Sequence, residues 1–342
     1  MADEFKYFLA WIRQIGGRPD LVQGGGGNFS FKVNDRQMAI KASGFRFSEI
    51  TEENGLSLVD YPAILEFLIA KPEISEEESV NLIMSQVLPA AAGNKIRPSM
   101  EVGFHVFLSR YVVHTHSVYA NILACSEGGE NLVKKKLAGL GESVLWLPYF
   151  RPGWALAVGL KKATDDFVRD RGFLPKAIFL QNHGLILAGD DWRQLAALHD
   201  QIEKILKEGL DDYFPVIKII EKNGVDNIFV GVTSYLSDFI EENPEILANF
   251  HQNIIFPDQA VFCQDFGGKI FWDKDSGHFL YRTGGREALA IEETLTSWVF
   301  ILNGIKSRDC QPQFLTSVAV DSLTGMESEK YRQQLMAGKK YD

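Results

Sequence analysis

The chain has 342 residues, of which 46% are hydrophobic and 23% are charged, a composition typical of globular proteins with room for a large core. Its formal net charge is −10 and it contains no basic run, so we do not expect a nucleic acid as a partner. No stretch of about 18 apolar residues is present, which argues against a membrane span.

The beginning of the chain and its cysteines indicate a cytoplasmic protein. Residues 1–8 carry two acids and no long apolar run, so we do not expect a signal peptide. The three cysteines, Cys125, Cys263 and Cys310, are far apart and odd in number, which fits neither a disulfide framework nor a Cys-rich zinc module. Length alone predicts two domains, or one large domain with an extension.

The first part of the chain predicts a helix followed by a hairpin. Residues 3–15 place apolar side chains at helical spacing, and a Gly-Gly pair ends that helix. Four glycines at 24–27 then lead into a strand over 28–33, and a second strand returns over 38–42. The glycine run is either a flexible turn or a loop whose N–H groups approach an anion closely, and on the run alone we favour the turn.

Three helices are predicted next, over 62–70, 76–88 and 100–110. Ser99 follows a proline and is a good N-cap for the third of them. Glu101 then lies in the first helical turn, where the helix dipole favours a carboxylate, and this alone explains an acid there.

Two histidines lie two residues apart in the segment 111–117. Val112 and Val113 favour an extended backbone, in which His114 and His116 point to the same face. Neutral imidazole is a good ligand for zinc and related divalent ions, and catalytic sites usually use three protein ligands and leave one position open. A third ligand must then come from elsewhere in the chain.

A further histidine follows a strong strand signal. Residues 177–189 predict two strands broken at Asn-His-Gly, so His183 lies at a strand end beside a glycine, where side chains often meet ligands. His199 lies on a long amphipathic helix over 191–210 and is interpreted as structural, because no partner is near it in sequence. The remaining elements of this region are a helix over 119–124, a strand over 145–150 and a helix over 164–171.

After Gly209 the sequence has fewer sharp motifs. Residues 211–253 read as helical, and three short strands with Gly-rich turns are predicted over 259–263, 269–272 and 278–281. Two further helices are predicted over 285–303 and 326–336. We therefore divide the chain into a domain over 1–210 and a C-terminal α+β extension over 211–342, whose role could be to cap a site, to build an oligomer or to bind a partner.

Five short motifs, each weak alone, occur in a fixed order. They are Gly27-Asn28, Lys41-Ala42-Ser43-Gly44, Pro98-Ser99-Met100-Glu101, His114-Thr115-His116 and Asn182-His183-Gly184. Together they resemble the class II aldolase/adducin family over about residues 5–210. Residues 23–28 and the later Phe256-Pro257-Asp258 are most similar to the aldolase part of bifunctional rhamnulose-1-phosphate aldolase/dehydrogenase proteins, although no dinucleotide fingerprint is found.

The resemblance implies a fold and a set of site residues. The fold is α/β, a three-layer α/β/α sandwich around a mixed, mostly antiparallel central sheet, in a homo-oligomer that is often a tetramer. A divalent metal, with Zn²⁺ as the first expectation, would be held by His114, His116 and His183, and Glu101 would be the catalytic acid/base. The substrate phosphate would be bound by Gly27, Asn28, Ser43, Gly44 and Ser99.

The function implied is that of a metal-dependent aldolase, a class II aldehyde-lyase acting on a sugar or sugar phosphate, with a ketose phosphate expected. Cleavage through a metal-stabilised enediolate is coherent, because a Lewis acid stabilises the charge and a nearby carboxylate shuttles the proton. An epimerase, a decarboxylase, a dehydratase or a non-catalytic adducin-like binding module remain alternatives. A dehydrogenase is suggested only by the bifunctional relatives.

Three residues leave questions open within this resemblance. His105 either orients Glu101 or a metal ligand, or it serves packing alone. A tyrosine assists in the family's aldolases, but Tyr149 is not reliably matched to it. Met100 occupies the place of a second serine in many phosphate-using members, and its side chain cannot donate a hydrogen bond to phosphate, so the substrate could be held differently or lack the phosphate.

Overall fold

The computed structural model describes residues 2–89, 95–210, 213–222 and 227–338. Within them, one large sheet dominates the first two thirds of the chain. Its strands are β1 (Asn28–Lys32), β2 (Gln37–Lys41), β3 (Leu56–Asp60), β4 (Val87–Leu88), β5 (Tyr111–Thr115), β6 (Val144–Leu147), β7 (Ala177–Leu180) and β8 (Gly184–Gly189).

This sheet has eight described strands in the order β4-β3-β2-β1-β5-β8-β7-β6. The described neighbours pair antiparallel, apart from β6 and β7, which run parallel. In β5 and β8, successive side chains enter opposite cores: Val112 and Ile186 belong to one, Val113 and Leu187 to the other. Both faces are therefore buried, which explains why these strands read as continuous apolar runs.

Helices cover both faces of the sheet. They are α1 (Ala2–Gly16), α2 (Tyr61–Ala70), α3 (Glu76–Ser85), α4 (Val102–His105), α5 (Val118–Ala124), α6 (Gly129–Lys136), α7 (Trp154–Arg171) and α8 (Trp192–Lys207). Apolar side chains of α1, α5, α6 and α8 form one core with the sheet, and those of α2, α3, α4 and α7 form the other. The predicted three-layer α/β/α sandwich with a mixed, mostly antiparallel sheet is confirmed.

The C-terminal extension is also α+β, as predicted. A second antiparallel sheet has the order β11-β12-β10-β9. The strands and helices of the extension are β9 (Ile219–Glu221), β10 (Ile228–Gly231), α9 (Ser234–Glu242), α10 (Glu245–Ala248), α11 (Pro257–Phe262), β11 (Ile270–Asp273), β12 (His278–Arg282), α12 (Gly285–Lys306), α13 (Ser317–Gly325) and α14 (Glu327–Met336).

Helix α12 joins the extension to the first core. Trp298 and Phe300 are buried in the same apolar cluster as Phe8 and Tyr111, and the Phe300 ring lies 5.7 Å from that of Tyr119 on α5. The extension therefore shares a core with the sandwich, and the division at residue 210 stays a prediction. None of the described helices is both long and apolar enough to cross a bilayer.

Several element predictions were wrong. The strand predicted over 259–263 is the helix α11, in which all six residues are buried. Pro257 suits the first turn of a helix, and complete burial removes the polar face that would have shown helical periodicity. The segment 211–253 was predicted to be helical, yet it contributes two described strands, β9 and β10, which pair with each other.

The helix predicted over 100–110 is reduced to the single turn α4, and Glu101 rather than Ser99 precedes it. All four residues of α4 are buried, so packing has set its length rather than helical propensity. The helix predicted over 76–88 ends at Ser85, where the chain turns into β4. These two differences matter because the residues around α4 form part of the site described next.

Candidate active site

Strands β5 and β8 bring the three predicted histidines together. His114 is on β5 opposite Ile186 of β8, and His116 directly follows β5. His183 lies in the turn between β7 and β8, after Asn182, whose φ of 54° is in the left-handed region. Gly184 is needed in this turn, because a Cβ there would lie 2.3 Å from the Thr115 carbonyl oxygen.

The imidazoles converge through their Nε2 atoms. His116 Nε2 lies 3.2 Å from His114 Nε2, which lies 3.4 Å from His183 Nε2. His114 Nδ1 donates to the Leu185 carbonyl oxygen at 3.1 Å, and His116 Nδ1 donates to Asp258 Oδ2 at 2.7 Å. These bonds assign the protons of both rings to Nδ1, so their Nε2 lone pairs face inwards.

This donor set fits a divalent cation. Burial is the main cause that lowers the pKa of His114, to about 3, and it also lowers the pKa of His183 well below its ordinary value. Neutral rings are the form that ligates zinc-like ions. One ligand atom from each of His114, His116 and His183 lies within 4.8 Å of the other two, so a cation between them would relieve the repulsion of facing lone pairs.

Glu101 lies beside the histidines. Its Oε1 is 3.5 Å from His183 Nε2, and its Oε2 is 3.6 Å from His114 Nε2. Asn28, which pairs with His114 across β1 and β5, donates from Nδ2 to Glu101 Oε2 at 2.7 Å. Burial raises the pKa of Glu101 to about 7, despite opposing contributions from His116 and Asn28.

His105 acts on this carboxylate only through Asn28. Its Nε2 lies 2.5 Å from Asn28 Oδ1 and its Nδ1 lies 2.8 Å from Ser30 Oγ. The ring is fully buried, and burial lowers its pKa well below the ordinary value. A neutral His105 that donates to Asn28 Oδ1 fixes the amide so that its NH₂ group faces Glu101.

All five residues predicted to bind substrate line one cleft with Glu101, His116 and His183. The space between its lining atoms, open solvent included, is about 470 Å³. The five residues are Gly27, Asn28, Ser43, Gly44 and Ser99. Met100 also lines it, so the departure from the family's serine faces the same space. Tyr149 does not line this cleft, and its backbone N–H donates to Gln181 Oε1 at 3.2 Å.

Two glycines of the run at 24–27 allow close approach to the histidines. A Cβ on Gly27 would lie 2.6 Å from the His114 carbonyl oxygen. A Cβ on Gly26 would lie 2.4 Å from Asp258 Oδ2 and 2.7 Å from His116 Nδ1. The run is therefore more than the flexible turn that it suggested alone, because the space beside these two glycines is taken by the backbone of His114 and by the side chains of Asp258 and His116.

Four charged residues of the cleft were not predicted: Lys41, Asp258, Glu329 and Arg332. Lys41 donates to the Gly25 carbonyl oxygen at 3.1 Å, and burial lowers its pKa to about 7. The sequence signals were weak. Lys41 and Asp258 occurred only inside motifs used for the resemblance, and Glu329 and Arg332 lie in the terminal helix predicted over 326–336, to which no role was given.

The fold and the site define an α/β protein with three histidines placed to hold a metal ion beside a buried carboxylate. A model of the class II aldolase and adducin N-terminal domain matches residues 8–209. This match covers more than half of the chain, which belongs to the class II aldolase/adducin family.

Three relatives show the range within the family. An uncharacterized oxidoreductase of Bacillus subtilis, YuxG, is 25% identical over 52% of this chain and 25% of its own length. A 3-oxo-tetronate 4-phosphate decarboxylase of Pectobacterium atrosepticum is 32% identical over 32% of this chain and 53% of its own. A 5-deoxy-D-ribulose 1-phosphate aldolase of Bacillus thuringiensis serovar kurstaki is 27% identical over 48% of this chain and 72% of its own.

Among solved structures, the N-terminal class II aldolase domain of a conserved protein from Thermoplasma acidophilum covers 58% of this chain and 90% of its own. Its sequence identity is 24% and its TM-score is 0.49. The alignment with YuxG takes in a quarter of that relative, and the alignment with the Pectobacterium decarboxylase takes in about half of that enzyme.

Proposed function

We propose that the chain is a metal-dependent lyase that cleaves a carbon–carbon bond of a sugar or sugar phosphate, with a ketose phosphate as the first candidate. The observation that carries this proposal is the meeting of three buried imidazoles with one buried carboxyl group, Glu101, which lines a cleft. Membership of a family that includes a named aldolase supports it.

His114, His116 and His183 would hold the metal, for which Zn²⁺ is our first candidate because the set is all imidazole. When bound, such an ion acts as a Lewis acid towards substrate oxygens. Asp258 and the Leu185 carbonyl hold two of the rings from behind, so the chain itself presents their lone pairs in the required direction.

Glu101 would transfer the proton. Asn28 holds Oε2, and Oε1 has no hydrogen-bond partner among the described residues, so Oε1 is the atom available to take up or return a proton. A pKa near 7 suits an acid/base group at neutral pH, because both protonation states are then populated. His105 would act as a positioning residue that sets the amide of Asn28.

Gly27, Asn28, Ser43, Gly44 and Ser99 would hold the polar end of the substrate, since all line the cleft. Ser99 Oγ already accepts from Asn28 Nδ2 at 3.2 Å and from the Glu101 N–H at 3.3 Å, which leaves its own O–H to donate to substrate. Lys41, in its protonated form, would favour an anionic group, which Met100 cannot bind through a hydrogen bond.

Decarboxylation of a 3-oxo acid phosphate is a second candidate, favoured by the decarboxylase relative that is 32% identical. Aldol cleavage and loss of CO₂ each break a carbon–carbon bond and leave an electron pair on the carbon next to a carbonyl. The same residues could therefore serve either reaction. This proposal also includes a substrate of the rhamnulose-1-phosphate type, a cytoplasmic location and a homo-oligomer, which the family resemblance implies to be a tetramer.

The test is to purify the protein with bound metal and offer it ketose 1-phosphates, unphosphorylated sugars and 3-oxo acid phosphates. We expect an aldehyde or CO₂ to be released in a reaction that a chelator stops and added metal restores. No tightly bound divalent ion under metal-replete conditions would favour the adducin-like binding module. Binding of NAD would revive the dehydrogenase alternative, and we expect that titration to be flat.

A further inference from the structure

The C-terminal extension supplies one wall of the candidate active site. Asp258 on α11 and Glu329 and Arg332 on α14 line the same cleft as Glu101 and His116. The side chains of Asp258 and Glu329 are 2% and 5% exposed, so these charges have been taken out of water. Charged groups are rarely buried unless each has a specific partner, so we expect Asp258, Glu329 and Arg332 to have defined partners.

The partners form a continuous chain of contacts that ends at a proposed metal ligand. Arg332 Nε lies 2.8 Å from Glu329 Oε2, one turn earlier on α14. Arg332 Nη2 donates to Asp258 Oδ1 at 2.5 Å, and Asp258 Oδ2 accepts from His116 Nδ1 at 2.7 Å. Asp258 thus uses one oxygen for the arginine and the other for the imidazole.

The sequence at the glycine run makes room for this contact. A Cβ on Gly26 would lie 2.4 Å from Asp258 Oδ2 and 2.7 Å from His116 Nδ1, which are the two atoms joined by the hydrogen bond. A real Cβ does not approach other atoms so closely. Any larger residue at this position would therefore force the carboxylate, the imidazole or the backbone between them to shift.

We infer that Asp258 is the positioning residue of the metal site, and that Arg332 and Glu329 hold it in place. Asp258 keeps the His116 proton on Nδ1 and sets the ring so that Nε2 faces His114 and His183. Carboxylates behind metal-ligating histidines fix the tautomer and raise the basicity of the ligand. The extension then completes the site, and this inference rests on the proposed metal-dependent function.

A purely structural role would have different consequences. If the ion pair between Asp258 and Arg332 only fastens α14 to the rest of the protein, its loss should lower stability and leave the metal affinity of the folded protein unchanged. If Asp258 positions His116, the affinity must fall even in variants that remain folded. Metal affinity, measured without any assay of turnover, therefore separates the two roles.

The first test is Asp258→Asn, which keeps the shape of the side chain and removes its charge. Competition with a chelating indicator should show Zn²⁺ and Co²⁺ binding about 10–100-fold more weakly than in the wild type. The absorption bands of the Co²⁺ form should also change, because the ligand His116 is less basic and less well oriented. Asp275→Asn is the matched control, since Asp275 is exposed in the same extension and should bind metal like the wild type.

The second test is Gly26→Ala, which leaves every charge in place and crowds both partners of the hydrogen bond, since the added Cβ would lie 2.4 Å from Asp258 Oδ2 and 2.7 Å from His116 Nδ1. We expect weaker metal binding in the same direction as in Asp258→Asn. Gly139→Ala is its control, because no atom lies within 4 Å of a Cβ built at Gly139. Should Asp258→Asn fail to fold, the NMR signal of the His116 Nδ1 proton in the wild type decides: it must be present and shifted as expected for a hydrogen bond to a carboxylate, and its absence would overturn the inference.

Wild-type affinity in folded Asp258→Asn, or in Gly26→Ala, would overturn the inference while leaving the proposed function intact. An equally large loss of metal affinity in Lys330→Gln would also overturn the inference, because Lys330 is an exposed residue of α14, the helix that carries Glu329 and Arg332. Failure of the wild type to bind any divalent ion would instead defeat the proposed function, and the inference with it.

Discussion

Two buried glutamates in this molecule have the same raised pKa and different surroundings. Burial brings the pKa of both Glu101 and Glu203 to about 7. Glu101 faces a cleft and lies 3.5 Å from His183, whereas Glu203 packs on α8 and lines none of the described site. A perturbed pKa alone would not distinguish them, and it is the neighbouring imidazoles and the cleft that make Glu101 the candidate acid/base.

Glu101→Gln should retain bound metal and lower kcat by about 10²–10⁴-fold, because general acid/base catalysis typically contributes that much. The amide can still accept from Asn28 but cannot transfer a proton. Metal content and steady-state turnover should be measured on the same preparation. Glu327→Gln, an exposed change at the start of α14, serves as the control. Unchanged turnover would remove Glu101 from the mechanism.

His116→Ala should abolish tight metal binding and leave the protein folded, because an open, catalytic-type site contributes less to folding than a closed structural one. Metal analysis after dialysis and circular dichroism would report the two properties separately. His251→Ala, at an exposed position, should keep its metal. A His116→Ala protein that retained one equivalent of metal would exclude this ring as a ligand.

Glu203 predicts a pH dependence of stability. Its folded pKa of about 7 exceeds the ordinary value of 4.5, so the folded state holds a proton that the unfolded state has already lost between these values. The stability that this group contributes is full below about pH 4.5 and is lost as pH rises to about 7. Glu203→Gln should therefore be more stable than the wild type above about pH 7, by at most about 3 kcal/mol, and similar near pH 4.5.

Chemical denaturation at several pH values would measure this difference. Glu208→Gln, an exposed change at the C-terminal end of α8, the helix that carries Glu203, should show no such dependence. A wild-type stability that did not fall between about pH 5 and pH 7 relative to Glu203→Gln would contradict the assignment.

Among single residues, the sequence indicated the three histidines but not Asp258, which accepts a hydrogen bond from His116. His114 and His116 follow from strand periodicity, because alternation along β5 is a local property. Asp258 is separated from His116 by 142 residues, and no local pattern connects them. Gly26 illustrates the same limit, since a glycine run indicates freedom of the backbone and does not reveal which distant atoms need the space.

Among the elements, α8 shows why a helix with one exposed face can be predicted from its sequence. Helix α8 alternates buried and exposed residues and was found within a few residues of its bounds. Helix α11 is buried all round, so its sequence lacks the polar stripe that marks a helix, and a strand was predicted instead. The turn α4 shows the converse, because the helical spacing continued beyond the point where packing ended the helix.

Across the whole molecule, bound metal should act as a ligand of the folded state. The three proposed ligands come from β5, the residue after it and the turn before β8, so unfolding would separate them and release the ion. Zn²⁺ at about 100 times its dissociation constant should stabilise the wild type by about 2.7 kcal/mol, seen as a rise in Tm. The His116→Ala variant should show no rise, and a chelator should return the wild type to the value of that variant.

The overall class could be predicted because its motifs are local and occur in order, and the α/β/α layers follow from strands that are apolar on both faces. The relation between the extension and the sandwich could not, since it depends on which apolar side chains meet. The shared core holds Trp298 and Phe300 of α12 next to residues of α1 and α5.

That shared core limits how the protein can be divided or recombined. The C-terminal extension cannot be exchanged freely for another domain. A chimera of residues 1–210 with a foreign C-terminus would lose Phe300, which packs against Tyr119 on α5, and Asp258, which accepts from His116 Nδ1. Any C-terminal segment that replaced the extension would need its own apolar cover for α5 and its own acceptor for the His116 Nδ1 proton.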